Sequence, residues 1–127
     1  MHTNVLMRVS ALVLAMIGAA ATFAPQELMV RYGGNTAPGA TLLVQMAGGA
    51  YLGFAMLNWM ARENLIGGIY SRPVGMGNFL HFTIVALGMI RVAIAGLARA
   101  EVLAAAAVFT VLAMWFGVVI FTAPGKA

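Results

Sequence analysis

Four long apolar segments, separated by short polar stretches, dominate the pattern of this 127-residue chain. They run over about residues 5–24, 40–61, 74–97 and 102–121. Each segment reaches the roughly 20 residues that an α-helix needs to cross the hydrocarbon core of a bilayer. The pattern therefore predicts an all-α fold, an integral membrane four-helix bundle in which residues 1–127 form a single transmembrane domain.

A shorter element is predicted between the first two spans. Pro25 suits the first turn of a helix, and Gly33 suits the position just after its last turn. We expect a short interfacial helix here, with Tyr32 at headgroup depth. The first span has the composition of a signal peptide, with Arg8 before its apolar run, but it is long enough to cross a bilayer. We interpret it as a retained membrane helix.

The composition agrees with membrane insertion. Apolar residues make up 63% of the chain and charged residues only 8%, whereas soluble domains carry about 25% charged residues. The mean hydropathy is +0.98. The net charge of +4 comes from basic residues spread along the chain. Nucleic acid is therefore not an expected partner, because its binding needs basic residues concentrated on one face.

The basic residues at the span ends predict the orientation. One side would hold Arg8, Arg62, Arg72 and Lys126, and the other would hold Arg31 and Arg99. Because cytoplasmic loops carry the excess of Lys and Arg, we expect both termini inside, in the bacterial inner (cytoplasmic) membrane.

Small residues form faces that favour close helix packing. Glycines on the second and third spans supply most of them: Gly48, Gly49, Gly53, Gly77 and Gly88. Ala11, Ala15 and Ala19 form a similar face on the first span. Such faces allow a neighbouring helix to approach closely, either inside the bundle or from another subunit.

One polar stripe lies on the third span. Gly77, His81, Gly88 and Arg91 fall within about 80° of one another on an α-helix. Ionisable residues inside membrane helices are costly and normally face protein or water. The stripe is therefore the best sequence pointer to a function.

A hairpin centred near residue 67 would separate the polar groups into two layers. It sets Asn58 level with Asn78 and His81 near the inner face, and Gln45 level with Arg91 near the outer face. His81 is interpreted as a neutral imidazole bonded to one of the two asparagines, with a proton carrier or a haem or metal ligand as alternatives. We expect Arg91 to snorkel or to pair with an outer glutamate, Glu27 or Glu101; the alternative is contact with an anion or lipid headgroup.

Several kinds of chemistry are absent from the sequence. The chain has no cysteine and no aspartate, and its other histidine, His2, precedes the first span. Disulfides, thiolate metal sites, iron–sulfur clusters and Ser–His–Asp catalysis are thereby excluded. The ten methionines are scattered, as expected of membrane packing residues and not of a copper site. We predict no catalytic residue, metal or cofactor, and leave a bound lipid, quinone or pigment open.

Three stretches carry a resemblance to a known group of proteins. They are residues 23–28 (FAPQEL), residues 57–62 (LNWMAR), and Gly77-Asn78-Phe79 followed by His81. With them the chain resembles small four-helix bacterial membrane proteins that are distantly DoxX-like. The resemblance implies four spans, in a group that includes subunits associated with quinol oxidases, and it transfers no catalytic residue.

Three functional hypotheses follow. The first is a non-catalytic accessory or structural subunit of a larger membrane protein complex, in contact with lipids and with other subunits or copies of itself. The second is a small transporter or channel that uses the polar stripe. The third is a protein that handles quinone, lipid or haem.

Overall fold

The computed structural model of this protein describes residues 3–122, which form five α-helices and two short 3₁₀ helices, without a β-strand among them. The α-helices are α1 (Thr3–Phe23), α2 (Pro25–Arg31), α3 (Pro38–Met60), α4 (Arg72–Ile94) and α5 (Ala100–Phe121). The 3₁₀ helices cover Ala61–Glu63 and Ile69–Ser71. The predicted all-α class is confirmed. His2, Lys126 and the tail 123–127 lie outside the described residues.

Four of the helices are long and apolar enough to cross a membrane: α1, α3, α4 and α5. Each begins about two residues before its predicted start. Proline explains this shift for α3 and α4, because Pro38 and Pro73 occupy the first turn, where a missing N–H costs no helical hydrogen bond. The chain is thus a multi-pass membrane protein by the length and composition of its helices.

Glycines in the left-handed conformation end two of the helices. Gly33, with φ of 70°, follows α2, and the N–H of Gly34 donates to the carbonyl oxygen of Met29 at 2.7 Å. This Schellman geometry confirms the predicted short helix from Pro25. Gly96, with φ of 72°, ends α4 in the same way, so that this helix stops at Ile94 and not near residue 97.

The chain divides into two compact units. One comprises residues 7–62 and contains most of α1 together with α2 and α3; we call it the α1–α3 unit. The other comprises, among the described residues, 3–6 and 63–122, and contains α4 and α5; we call it the α4–α5 unit.

Each unit is built on an antiparallel pair of long helices. In the α1–α3 unit, Ser10 lies beside Asn58 and Gly18 lies beside Leu52. In the α4–α5 unit, Gly75 lies beside Ile120, while residues near Ile90 lie opposite residues near Leu103. The opposed numbering shows that both pairs run antiparallel.

Candidate functional site

A buried polar contact joins α1 to α3. Asn58 and Ser10 are both fully buried, and Nδ2 of Asn58 donates to Oγ of Ser10 at 2.9 Å. The Ser10 hydroxyl in turn donates to the carbonyl oxygen of Met7 at 3.0 Å. The contact therefore extends from α3 to the backbone of α1. Sequence reasoning singled out Asn58 and missed Ser10, the polar residue of α1 that lies at the same level.

Glycine lets the same two helices approach closely. A Cβ atom on Gly48 would lie 2.7 Å from the backbone nitrogen of Thr22, and one on Gly18 would lie 2.9 Å from the backbone nitrogen of Leu52. Both distances are well inside van der Waals contact. Farther along, Nε2 of Gln45 is 3.5 Å from the carbonyl oxygen of Thr22, in an exposed contact. Of the predicted site residues, Gly48 and Gln45 thus both lie at the α1 side of α3.

The neighbouring glycines of the predicted packing faces have different surroundings. A Cβ on Gly49, Gly53 or Gly88 would have no heavy atom of the described chain within 4 Å. Gly77 is half-buried in α4. Gly49 and Gly53 together form an open GxxxG pair on the outer side of α3.

The α4–α5 unit is filled by aromatic rings. Phe82 is fully buried, with its ring centroid 5.1 Å from that of Phe109 and 5.7 Å from that of Phe116. The half-buried His81 ring lies edge-on to Phe82 at 5.4 Å and tilted to Phe109 at 6.2 Å. The packing around His81 is therefore largely aromatic.

Asn78 is fully buried one turn before Phe82. Its Nδ2 donates to the carbonyl oxygen of Val74 at 2.9 Å, a hydrogen bond within α4. The side chain thus satisfies a backbone group of its own helix.

Arg91 lies in the last turn of α4, and its side chain is exposed. The early end of α4 leaves three residues after it, about 4.5 Å of helix, so that Arg91 is close to the membrane surface. Glu101, one of its two expected partners, lies 3.8 Å from Nε of Arg99 instead. Arg91 also carries a positive charge where the helix dipole favours one.

The two ionisable groups of the stripe are therefore separate. His81 and Arg91 are ten positions apart on α4, which corresponds to about 15 Å along the axis. One packs among phenylalanines and the other is exposed at the helix end. A transport path along this stripe stays a prediction.

An apolar groove runs along the α1–α3 unit, with a volume of about 510 Å³. Its lining residues are Ala11, Leu12, Ala15, Leu52, Ala55, Met56 and Trp59. At its Trp59 end, Cζ of Arg62 stands 4.7 Å from the centre of the indole ring, and Nη1 donates to the Trp59 carbonyl oxygen at 2.6 Å. This groove is the most site-like feature of the unit, and none of its lining residues was a predicted site residue.

A second groove, of about 590 Å³, lies between α4 and α5. Eight residues line it: Ile90, Ala93, Ile94, Leu103, Ala106, Ala107, Thr110 and Val111. Thr110 is the one lining residue of this groove with a hydroxyl group. Its Oγ1 donates to the carbonyl oxygen of Ala106 at 2.7 Å. No aromatic residue lines this groove.

Side chains that could bind a metal ion are not clustered in residues 3–122. In that part of the chain, no three His, Cys, Asp or Glu side chains come together as a metal site would require. The chain matches no protein-family model, no curated protein and no solved structure. Its similarity to the DoxX-like group stays a prediction.

Proposed function

We propose that this chain is a non-catalytic accessory subunit of a larger membrane protein complex. We place it in the bacterial inner membrane, with both termini on the cytoplasmic side. The observation that carries the proposal is the outer face of α3, which is apolar, has an open GxxxG pair and is left uncovered by the rest of the described chain.

Of the four long helices, α3 is the least buried. Only 11% of its most apolar 18-residue stretch is buried, compared with 17% for α4 and 39% for α1 and for α5. Lipid tails are as apolar as leucine, so exposure to lipid costs an apolar face little. Contact with lipid does not require small residues. The pair Gly49 and Gly53 allows the backbone of a second helix to approach α3 closely.

The occupant that suits this face is a transmembrane helix of a different subunit. Close backbone approach brings dispersion contacts along the whole crossing.

Native purification tests the proposal. The tagged protein is extracted in a mild detergent, and co-purifying proteins are identified and quantified by mass spectrometry. We expect one membrane protein in a fixed ratio, and we expect the double variant Gly49→Ile/Gly53→Ile to lose it. Gly88→Ile, a matched change at an open glycine of α4, retains the partner.

Two results would contradict the accessory role. One is a monodisperse, partner-free monomer under conditions that preserve other complexes of the same membrane. The other is a homo-oligomer without a second protein, since this would make the α3 face a self-association surface.

A further inference from the structure

The groove of the α1–α3 unit owes its shape to alanines. Ala11 and Ala55 are almost fully buried and form its floor. Leu12 and Met56 are largely exposed and form its walls. Ala11 and Ala15 were expected to form a helix-contact face. They instead help to form an open groove on the surface of the unit. Its volume of about 510 Å³ falls in the range of small-ligand sites.

Two arginines stand at one end of this groove. Because Ser10 pairs with Asn58 in an antiparallel arrangement, Arg8 of α1 and Arg62 after α3 lie at the same end. Arg8 precedes Ala11, Leu12 and Ala15 by three, four and seven positions, which puts it on the groove face of α1. Arg62 reaches the groove through its position over the Trp59 ring.

The Trp59 indole and the Arg62 guanidinium lie against each other at this end of the groove, one apolar and the other charged. Trp59 lines the groove, and tryptophan is enriched at the level where acyl chains meet headgroups. A guanidinium that stacks on an aromatic ring keeps N–H groups at its edge for a phosphate oxygen. This combination matches an amphiphile whose apolar and anionic parts join at that level.

The charge at this end is positive. Within residues 7–62 the sole acidic residue is Glu27, in α2 beyond the opposite end of α1. Glu63 follows Arg62 directly in the chain, so that two arginines stand against one glutamate. A zwitterionic headgroup would gain less from this surplus than an anionic one.

The α4–α5 groove offers a contrast within the same protein. It is similar in size and also apolar, but no aromatic residue lines it. Arg91 follows the lining residue Ile90 by one position, which turns it about 100° away around the helix. Arg99 precedes the lining residue Leu103 by four positions, but it pairs with Glu101 at 3.8 Å. What the α4–α5 groove lacks is an aromatic residue beside an arginine at its end.

We propose that the α1–α3 groove binds an anionic phospholipid, with one acyl chain over Ala11 and Ala55 and its phosphate at Arg8 and Arg62. The lipid belongs to the leaflet on the N-terminal side of α1. The groove borders the surface of the open pair Gly49 and Gly53, because its wall residue Met56 lies seven positions after Gly49 and three after Gly53. The phosphate end at Arg8 and Arg62 lies beyond that border, so the arginine variants test the lipid separately from the partner.

Competitive lipid binding gives the first test. The purified protein is titrated with phosphatidylglycerol and phosphatidylcholine of identical acyl chains, and bound lipid is counted by native mass spectrometry. Each basic residue near an anionic surface contributes a factor of about five, so with Glu63 counted against the two arginines we expect a preference of at least about fivefold for phosphatidylglycerol. Arg8→Gln or Arg62→Gln alone lowers the preference, and the double variant removes it.

The matched control is Arg91→Gln, which removes an exposed arginine outside the groove and leaves the preference unchanged. Equal affinity of the natural protein for both lipids overturns the proposal. A preference that survives in a double variant with native helicity and elution volume overturns it as well.

A second test needs no change at the arginines. In the variant Trp115→Phe, Trp59 is the one remaining tryptophan, and its fluorescence reports on the groove. Lipids with brominated acyl chains quench a nearby indole. We expect stronger quenching by brominated phosphatidylglycerol than by brominated phosphatidylcholine at equal mole fraction, and equal quenching contradicts the proposal even if the arginine variants fail to fold.

A bulky side chain introduced into the groove tests whether the acyl chain of the lipid binds there. Ala15→Phe puts a ring where the chain would lie, and we expect it to weaken the binding of phosphatidylglycerol about tenfold or more. Ala19→Phe, one turn farther along α1 and outside the lining, serves as the control. Equal affinities of the two variants would mean that the lipid binds elsewhere.

Discussion

Two adjacent glycines of α3 should respond to alanine with opposite signs. At Gly48 the added Cβ would lie 2.7 Å from the backbone nitrogen of Thr22 and 3.0 Å from the backbone carbon of Ala21, where carbon contacts normally lie at about 3.5–4.0 Å. These are backbone atoms, so the helices must separate. Overpacking of this kind costs about 1–3 kcal/mol.

The helical preference of alanine works in the other direction. This preference stabilises each variant by up to about 1 kcal/mol relative to glycine, which leaves Gly48→Ala destabilised by roughly 0–2 kcal/mol. At Gly49 no described atom lies within 4 Å of the added Cβ. Gly49→Ala therefore gains the helical preference without a clash and becomes more stable.

Reversible unfolding measures the difference. Both variants and the natural protein are titrated with sodium dodecyl sulfate in mixed micelles, with far-ultraviolet circular dichroism as the signal. The expected gap between the two variants is about 2 kcal/mol. The reasoning fails if their free energies of unfolding agree within about 0.5 kcal/mol, since that would mean that α1 does not pack on Gly48.

Three further outcomes follow from the packing. A double-mutant cycle of Ser10→Ala and Asn58→Ala should give a coupling free energy of about 0.6–1.7 kcal/mol, as for other hydrogen bonds between membrane helices; a coupling of zero would refute the contact. Phe82→Ala should cost about 3 kcal/mol in the same unfolding assay, while Leu80→Ala, at an exposed position, should cost less than about 0.5 kcal/mol. Gly96→Ala should cost about 1 kcal/mol, because its φ of 72° is unfavourable for a residue with a Cβ; an unchanged stability would argue against the left-handed end of α4.

Local rules predicted the elements of the fold well. The four apolar runs gave the four long helices, and the spacing of Pro25 and Gly33 gave the short helix between the first two. The same rule, applied to Gly96, would have ended the third span before residue 97. The hydrophobicity of residues 95–97 concealed that end, because an apolar run does not distinguish a helix from the apolar chain that follows it.

Small polar contacts were harder to predict than helix positions. The hairpin expected from the sequence sets Asn58 level with Asn78 and His81, and that arrangement stays a prediction. The hydrogen bond from Asn58 to Ser10, 48 positions earlier, was not expected. Apolar helices carry little amphipathic signal to indicate which side faces a neighbour, so a single small polar residue such as Ser10 is easily overlooked.

The value of a small residue in this protein depends on what lies opposite it. Gly48 and Gly49 differ by one position, about 100° around α3, and one faces α1 while the other is open. The close contact at Gly48 fixes the rotation of α3 about its axis, and that rotation in turn presents Gly49 and Gly53 outward. A substitution that separates α1 from α3 therefore also turns the proposed partner face, whereas a substitution at Gly49 acts on that face alone. We therefore expect a substitution at Gly48 to lower both the stability of the protein and its binding of the partner. A substitution at Gly49 should weaken binding of the partner and leave the stability intact.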